Sequence, residues 1–492
     1  MVGVTRGRGG LAVVRDFVLL SGGELFTKVI AFVAFAFLAR TIEPAAYGAV
    51  ELAVSLSLFF AMVVDFGLSP LGAREVARDA GRIEDLAAEI PFARLVVGVL
   101  AIPVMCVIPV LLGQPPQDRQ LVWLFAIGLL GVPFRQQWLY QGLERMHWVS
   151  LALILRTAVF TAGVMLVVDG ADDLLLVGAA ELAAALVLAV YFVRIQGRLV
   201  TPFRFAWNLA GSRRLLWEGS FIGLSETIWA LNQYLPILLI AGLVGSVEVA
   251  FFGAVHRIVM SLATFGFVYH FNFFPTVARS LAVSEASYRG LVGPSFKATA
   301  WGGIGLALAV TLLADPICRL IYGEAFVDAG ATLAVLVWTI PLTLFSGHAR
   351  WALIARGEQR SVALAQLAGA VATLSVGAWG TLRWGALGGA AGMVSSAAVV
   401  WFVAHACARR TVRHIPFLGA VARPALAALV VGVVVRQVDG AAWGTATGGV
   451  LAFAALGPLL DRRLVTDLRS LARARDAGPD PAVPGNDAEG AG

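Results

Sequence analysis

Residues 90–112 read IPFARLVVGVLAIPVMCVIPVLL, and Arg94 is their one charged residue. About 20 apolar residues in a helix, at about 1.5 Å each, cross the hydrocarbon core of a bilayer, so this run is long enough to span it. Similar runs recur along the chain of 492 residues, of which 59% are hydrophobic and 14% charged. Soluble chains carry about 25% charged residues, so the sequence predicts an all-α polytopic membrane protein.

Fourteen apolar segments, separated by Gly, Pro or charged loops, are predicted to cross the membrane. They are 16–39, 47–68, 90–112, 121–141, 148–168, 174–195, 217–242, 250–275, 291–314, 331–354, 361–381, 386–408, 418–436 and 443–460. With the N-terminus inside, about 24 Lys and Arg residues fall in cytoplasmic segments. Those on the outer side are Arg40, Arg119, Arg319, Arg383 and Arg436. This asymmetry predicts a multi-pass protein of the inner (plasma) membrane with both termini cytoplasmic.

An internal repeat relates the two halves of the chain. A shift of 205 residues lays Tyr47-Gly48-Ala49-Val50 on Phe252-Gly253-Ala254-Val255, and with small gaps Arg135 falls on Arg350. Six crossings restore the starting side, so two six-helix lobes are expected, related by a pseudo-twofold axis along the membrane normal, around a central cavity. Chance alignment of hydrophobic segments is the alternative. The predicted domains are a cytoplasmic N-terminus (1–15), an N-lobe (16–195), a cytoplasmic linker (196–216), a C-lobe (217–408), helices 13 and 14 (418–460) and a disordered cytoplasmic tail (465–492).

Rare residue types exclude several classes of function. Cys106, Cys318 and Cys407 lie far apart without metal-ligand spacing, and neither Lys28 nor Lys297 follows a Gly-rich phosphate-binding loop. No nucleophile elbow or zinc-protease motif occurs, and the short loops leave no room for a catalytic domain. We therefore expect no cofactor, no metal, no catalytic residue and no enzyme activity. The net charge of +6 reflects membrane topology rather than binding to nucleic acid.

Charged residues inside the spans are the main functional candidates, because a charge in the bilayer costs several kcal/mol unless it faces a wet cavity or a partner. Glu24 and Lys28 lie four residues apart on one face of helix 1, and the 205-residue shift puts Glu226 and Gln233 of helix 7 on the matching stripe. This pattern predicts that both helices face a polar cavity. Mutual neutralisation of Glu24 and Lys28 in a packed bundle is the alternative.

Arginines in the inner half suggest an anion site. Arg135 in helix 4 and Arg350 in helix 10 each precede a helix-ending Gly by seven residues, about 10 Å, and Arg156 in helix 5 lies at similar depth. Because the guanidinium fork matches phosphate oxygens, these three are predicted to line one inner vestibule that binds an anion. Snorkelling toward water is the alternative, and it is the preferred interpretation for Arg94, Lys297 and Arg423, nearer the inner ends.

The remaining ionisable residues within the spans have separate predictions. Glu51, His256 and Arg257 are candidates for an outer gate, with helix-end interface residues as the alternative. Asp65 is expected to contact the loop arginines, and no partner was evident for Glu181. His270 and His405 are predicted to be hydrogen-bonded bundle histidines rather than proton relays.

Three groups of short motifs carry a family resemblance. They are Leu38-Ala39-Arg40, Pro44, Tyr47-Gly48 and Asp65-Phe66-Gly67-Leu68; then Trp138-Leu139-Tyr140-Gln141-Gly142-Leu143-Glu144-Arg145-Met146; then Leu320-Ile321-Tyr322-Gly323-Glu324-Ala325-Phe326. In their order and spacing they resemble the polysaccharide exporter and O-antigen flippase branch of the multidrug/oligosaccharidyl-lipid/polysaccharide exporter superfamily, over roughly residues 16–460.

Membership would imply two six-helix lobes plus two further helices, alternating access, and export of a polyprenyl-pyrophosphate-linked oligosaccharide that serves as a cell-surface polysaccharide precursor. The expected partners are this lipid-linked glycan and the bilayer, with a polysaccharide polymerase and glycosyltransferases as further candidates. The resemblance supplies no invariant catalytic residue. A flippase for lipid II, the peptidoglycan precursor, and a multidrug or cation antiporter of the same superfamily stay open as alternatives.

Overall fold

The chain folds entirely into helices and connecting turns in the part that the computed structural model describes, residues 10–412, 418–438 and 442–467, with side chains from residue 26 and without that of residue 418. The eighteen α-helices of this part are α1 (Gly10–Thr41), α2 (Pro44–Asp65), α3 (Leu68–Arg78), α4 (Ile83–Leu111), α5 (Pro116–Gly128), α6 (Gln137–Gly142), α7 (Met146–Val167), α8 (Leu174–Leu199), α9 (Leu209–Leu243), α10 (Ser246–Val283), α11 (Glu285–Leu312), α12 (Ala314–Tyr322), α13 (Ala329–Leu336), α14 (Thr339–Ala355), α15 (Gln359–Ala372), α16 (Ala378–Thr411), α17 (Leu418–Arg436) and α18 (Ala442–Leu460).

Each of the fourteen predicted segments lies largely in helical chain, and ten stretches of the described residues are long and apolar enough to cross a membrane. The two numbers differ for identifiable reasons. Segments 361–381 and 386–408 fall within one stretch of 53 residues, 359–411, that counts once among the ten. Gly385 within it has non-helical backbone angles, φ 56° and ψ −131°, so a kink lies between the two predicted crossings. Segment 16–39 lies in α1, whose side chains are described only in part. Segment 217–242 lies in α9, where polar residues such as Asn232 and Gln233 reduce the hydropathy.

Segment 121–141 is the one predicted crossing that is strongly interrupted. It comprises α5, a 3₁₀ turn over Leu129–Phe134 and the short helix α6. Pro133 lies within that turn, and proline lacks the N–H that the next helical turn would need. Proline alone does not explain the break, since α4 stays helical through Pro91, Pro103 and Pro109.

Large apolar side chains are exposed along several helices. Leu111 on α4 is 78% exposed and Leu166 on α7 is 81% exposed. A soluble monomer seldom exposes extended apolar patches, whereas a membrane helix turns such side chains toward lipid. This distribution agrees with the predicted polytopic membrane class.

The chain divides into two compact units. The first comprises residues 1–262, 314–336 and 363–400, and the second comprises 263–313, 337–362 and 401–492. These units are not the predicted lobes 16–195 and 217–408, because each contains part of the second lobe, and the lobe boundaries stay a prediction. The predicted linker 196–216 is non-helical only over 200–208, where Ala206 N–H donates to the Ala88 carbonyl.

Each unit has its own apolar core. In the first unit, helices α3, α4, α6, α7, α8 and α9 contribute to a core that includes the fully buried Trp138 and Tyr140. In the second unit, α11 packs against α14, α17 and α18 around Phe296, Phe345 and Phe453. The C-terminal pair α17 and α18 is therefore part of a packed unit rather than an appendage.

Candidate functional site

An ion pair inside the first unit connects α2 with α4. Helix α2 ends at Asp65 because Phe66 (φ 41°) and Gly67 (φ 76°) adopt left-handed conformations that a helix cannot contain. The turn aims the Asp65 carboxylate at the start of α3, where it accepts the Ser69 hydroxyl at 2.9 Å and the Ser69 N–H at 3.2 Å. The same carboxylate pairs with the guanidinium of Arg94, whose side chain is 1% exposed.

Two predictions about this pair are wrong. Arg94 is not a snorkelling anchor, because Asp65 neutralises it within the protein and it also donates to Ser69 Oγ at 2.8 Å. Asp65 contacts this helical arginine rather than the loop arginines. The sequence placed the two residues on separate predicted helices but contained no signal that they meet.

Arg135 lies at a break in the chain and not inside a continuous helix as predicted. It follows the 3₁₀ turn of Leu129–Phe134 and has extended backbone angles, φ −74° and ψ 90°. The break leaves its carbonyl free of helical bonding, and Arg94 donates to that oxygen at 2.8 Å. The part-buried Arg135 guanidinium has no hydrogen-bond acceptor among the residues that the structure describes.

Arg156 on α7 forms an ion pair with Glu181 on α8. The two side chains are 28% and 11% exposed, so the pair is partly shielded from its surroundings. Glu181 has no predicted partner, although the short connection between α7 and α8 is a usable signal. Residues at comparable distances from such a turn face one another in a helical hairpin.

These charges make up one neighbourhood with an excess positive charge. The charged groups near Arg135 are Arg94, which bonds to its carbonyl, Asp65, Arg156 and Glu181. The three guanidiniums and two carboxylates sum to one positive charge. Since Arg94 and Arg156 each have an acidic partner, the excess resides on Arg135. We call these five residues the arginine cluster.

Helix α9 carries polar groups next to this neighbourhood. Glu226 is part-buried, and Asp65 is the charged group that acts on it. Gln233 has a fully enclosed Oε1 without a hydrogen-bond donor among the described residues. Its neighbour Asn232, which sequence analysis missed, donates to the Gln366 carbonyl at 3.0 Å and accepts from Ser396 at 3.3 Å. Asn232 thereby connects three helices of the first unit.

In α1 the structure describes side chains only from residue 26 onward. The side chain of Glu24 lies outside the described residues, so its predicted role stays a prediction. Lys28 is exposed and does have an interaction partner.

A further ion pair in the first unit brings together Glu51 and Arg257, two of the three outer-gate candidates. Glu51, 3% exposed, accepts from Arg257 Nη2 at 2.8 and 3.0 Å. The Arg257 guanidinium carbon lies 3.3 Å from the centroid of the Phe35 ring. His256 turns away and stacks on Phe252 with ring centroids 5.6 Å apart. The pair therefore joins α2 to α10 without His256.

Aromatic rings surround the pair of Glu51 with Arg257. Tyr47 packs against Phe326 with centroids 5.3 Å apart and against Tyr322 at 6.5 Å, and all three rings are buried. Tyr322 donates its hydroxyl to the Ala254 carbonyl at 2.8 Å. On the same side, Arg40 donates to the Ile321 carbonyl at 3.0 Å. Helices α1, α2, α10 and α12 are thus joined by polar and aromatic contacts.

Arg350 belongs to the second unit. It lies in α14, its guanidinium is 5.8 Å from the Trp351 ring centroid, and its fully enclosed Nε has no acceptor among the described residues. The snorkelling interpretation of Lys297, in the same unit and 26% exposed, stays a prediction. Lys297 pairs with Asp467 at 2.8 Å and Asp461 at 3.3 Å.

Arg423 remains close to its prediction, since it is 58% exposed and 3.7 Å from Asp461. In the described part of the chain, no three His, Cys, Asp or Glu residues are grouped as a metal site would require.

Comparisons with known proteins give the family. Residues 13–281, more than half of the chain, match the family described as "Polysaccharide biosynthesis protein". A protein of Escherichia coli (strain K12) named "Putative O-antigen transporter" is 20% identical over 329 residues, 66% of this chain and 79% of that protein.

Solved structures give the fold. "Lipid II flippase MurJ, inward closed conformation" is similar with a TM-score of 0.72 and 11% identity, covering 91% of this chain and 100% of that chain. The inward-facing conformation of a multidrug resistance MATE family transporter of the MOP superfamily has a TM-score of 0.63 and 15% identity, covering 81% and 98%. The chain has the helical fold of these multi-pass membrane proteins, and it belongs to the polysaccharide biosynthesis protein family.

Proposed function

We propose that the protein is a flippase that moves a polyprenyl-pyrophosphate-linked oligosaccharide, a cell-surface polysaccharide precursor, from the cytoplasmic to the outer leaflet by alternating access. It is a membrane transporter and not an enzyme. Family membership and the relation to an O-antigen transporter of Escherichia coli support an exported glycan. The shared fold with MurJ and MATE proteins supports fourteen crossings, two six-helix lobes and a central cavity.

The Arg135 guanidinium, which has no acidic partner in the described part of the chain, is the observation that carries this proposal. In the arginine cluster, Arg94 and Arg156 are neutralised by Asp65 and Glu181, and Arg135 holds the remaining charge. A guanidinium binds phosphate oxygens through two parallel hydrogen bonds, which suits a pyrophosphate head. A partly buried position strengthens this attraction, because less water screens the charges there.

Pyrophosphate bound at Arg135 can also recruit a second guanidinium, that of Arg156. A head group with about two negative charges competes with Glu181 for the neighbouring Arg156, so the site gains a second guanidinium when that pair opens. Such an exchange differs between the substrate-free and substrate-bound states, which is what a transporter needs for its substrate to shift a conformational equilibrium. Arg350 is the proposed counterpart in the second unit.

The pair of Glu51 with Arg257 is the proposed outer gate. Its nearly buried carboxylate, the cation–π contact with Phe35 and the aromatic packing of Tyr47 hold α1, α2, α10 and α12 together. In the proposed cycle these contacts separate to release the glycan outside and re-form afterwards.

The membrane potential alone can drive the transport of the negatively charged substrate outward. Moving about two negative charges outward across 100 mV, inside negative, is downhill by roughly 4 to 5 kcal/mol. In this proposal both termini are cytoplasmic, Glu24 and Lys28 with Glu226 and Gln233 line the route, and a polymerase and glycosyltransferases are the candidate partners.

A lipid II-type flippase is the second candidate, favoured by the TM-score of 0.72 with MurJ. It shares the pyrophosphate head, so only the glycan distinguishes the two. A multidrug antiporter would instead rely on an acidic residue, for which Glu226 is the candidate, and would tolerate loss of Arg135.

The test compares charge reversal at Arg135 with charge reversal at an exposed arginine. Arg135→Glu is expected to abolish delivery of lipid-linked glycan to the outer leaflet, measured in cells that depend on this protein. Arg198→Glu, at an exposed position on α8, is the matched control and should export normally. Both proteins must be present in the membrane at wild-type levels. Normal export by Arg135→Glu would remove the anion-site proposal.

A further inference from the structure

The non-helical segment 200–208, between α8 and α9, is fixed to α4 by a backbone and an aromatic contact. Ala206 N–H donates to the Ala88 carbonyl at 3.0 Å. The Trp207 ring packs against the Phe92 ring with centroids 5.1 Å apart. The segment therefore has one side that faces the first unit and another that faces away from it.

Helix α4 gives the depth of these contacts in the bilayer. At about 1.5 Å per residue, Ala88 lies about 34 Å and Phe92 about 28 Å from the other end of the helix at Leu111. The hydrocarbon core is about 30 Å thick, and the head groups extend the bilayer to about 40–45 Å. Arg214 of α9 is 3.4 Å from Glu89, at the same level. The segment and the first turns of α9 therefore lie where acyl chains meet head groups.

The side of this region that faces away from the protein carries tryptophan, leucine and arginine side chains. Trp207 is 77% exposed, Leu209 is 67% exposed and Trp217 is 80% exposed. Leu209, Arg213 and Trp217 lie four residues apart and so share one face of α9. Large apolar side chains are seldom exposed together to water, whereas tryptophan is enriched where a membrane meets water. We call Arg204, Trp207, Leu209, Arg213 and Trp217 the interfacial surface.

The positive charge of the interfacial surface is largely uncompensated within the protein. Residues 200–217 contain three arginines and no acidic residue. Arg213 is exposed and has no acidic partner in the part of the chain that the structure describes. Arg204 is 3.7 Å from Glu84, but both side chains are more than 60% exposed, and such a pair is weak. Anionic lipid head groups are the complementary charges at this depth.

We propose that the interfacial surface binds anionic phospholipids and thereby holds the segment 200–208 against the bilayer. The arginines pair with the lipid phosphates, and the two tryptophans and Leu209 extend toward the acyl chains. A soluble acidic partner would match the arginines but would not account for two exposed tryptophans at head-group depth. The predicted cytoplasmic linker 196–216 is then a membrane-bound connection between the predicted lobes. This inference concerns the surrounding lipid and is independent of the transported substrate.

The test measures which phospholipid contacts α9 in nanodiscs that each hold one copy of the full-length protein. Cys106, Cys318 and Cys407 are replaced by Ala, and a bimane label is attached to Ala210→Cys, an exposed position next to Leu209. Brominated phosphatidylglycerol or brominated phosphatidylcholine, at equal low mole fraction, quenches the label in proportion to its local concentration. We expect stronger quenching by phosphatidylglycerol, with a preference that falls as the ionic strength is raised.

The contribution of each charge is measured with single variants. An arginine near an anionic membrane surface contributes about a fivefold preference. Arg204→Gln and Arg213→Gln should therefore each lower the preference for phosphatidylglycerol about fivefold. The matched control is Arg279→Gln together with Arg289→Gln, at exposed positions in the second unit. It removes two positive charges from the protein and should leave the preference unchanged.

Three results would overturn the proposal. The first is equal quenching by the two brominated lipids in the wild type, and the second is an equal loss of preference in the control, which would reduce the effect to overall charge. The third is a label that iodide in water quenches but brominated lipid does not, because the surface would then be open to a soluble acidic partner. Lipid quenching that disappears in nanodiscs with two copies would assign the surface to a second copy of the chain instead.

Discussion

Replacing Asp65 by Asn should destabilise the protein far more than removing an exposed carboxylate. Arg94 is 1% exposed, so the substitution leaves a buried guanidinium with only Ser69 Oγ and the Arg135 carbonyl as partners. Removing one member of a buried ion pair costs about 3–5 kcal/mol. Because Asp65 itself is 18% exposed, we expect the lower end, a loss of about 3 kcal/mol in the free energy of unfolding.

The control is Glu84→Gln, which removes a carboxylate 3.7 Å from Arg204 where both side chains are more than 60% exposed. Such a pair contributes below about 0.5 kcal/mol. Unfolding in mixed micelles with increasing SDS, followed by tryptophan fluorescence, gives the free energy of unfolding of the wild type and of each variant. The double variant Asp65→Asn with Arg94→Leu should lose less than the sum of the single changes, because no charge is then left unpaired. A loss within about 0.5 kcal/mol of that of Glu84→Gln would refute the reasoning.

Two further predictions concern the pair of Glu51 with Arg257 and the turn after α2. Glu51→Gln should weaken the contact between α2 and α10, because it removes the charge that pairs with Arg257. A cysteine placed at Ser261 should then react faster with a membrane-impermeant maleimide, and unchanged labelling would argue against a gate. Gly67→Ala should lower thermal stability well beyond Gly113→Ala, because both have positive φ but only the Gly67 Cβ would meet backbone atoms, while nothing lies within 4 Å of that at Gly113. Equal melting temperatures of the two variants would show that the backbone around Gly67 accommodates a Cβ without loss of stability.

The membrane class and the positions of the helices could be predicted from the sequence. The length of an apolar run is set by bilayer thickness, a local property, and so segments such as 90–112 coincide with helices such as α4 within several residues. Boundaries were less accurate where polar residues continue a helix beyond the apolar run, as in α9, which begins at Leu209 and not at 217.

The pair of Asp65 with Arg94 and the pair of Glu51 with Arg257 could not be predicted, because no single short connection brings their helices together. Asp65 meets Arg94 only after α2, α3 and α4 have packed, and nothing local to either residue specifies this. The break before Arg135 also needed tertiary information, since prolines in α4 leave that helix intact.

The affinity of the purified, full-length protein for inorganic pyrophosphate tests most directly whether Arg135 binds an anionic head group. It is measured by calorimetry at fixed ionic strength. Loss of one charge-assisted hydrogen-bonding group costs about 1.5–3 kcal/mol, so Arg135→Gln should weaken binding roughly 10- to 100-fold. Arg198→Gln, at an exposed position on α8, should bind as the wild type does. Equal affinities of Arg135→Gln and wild type would contradict the claim that Arg135 holds the anionic head of the substrate.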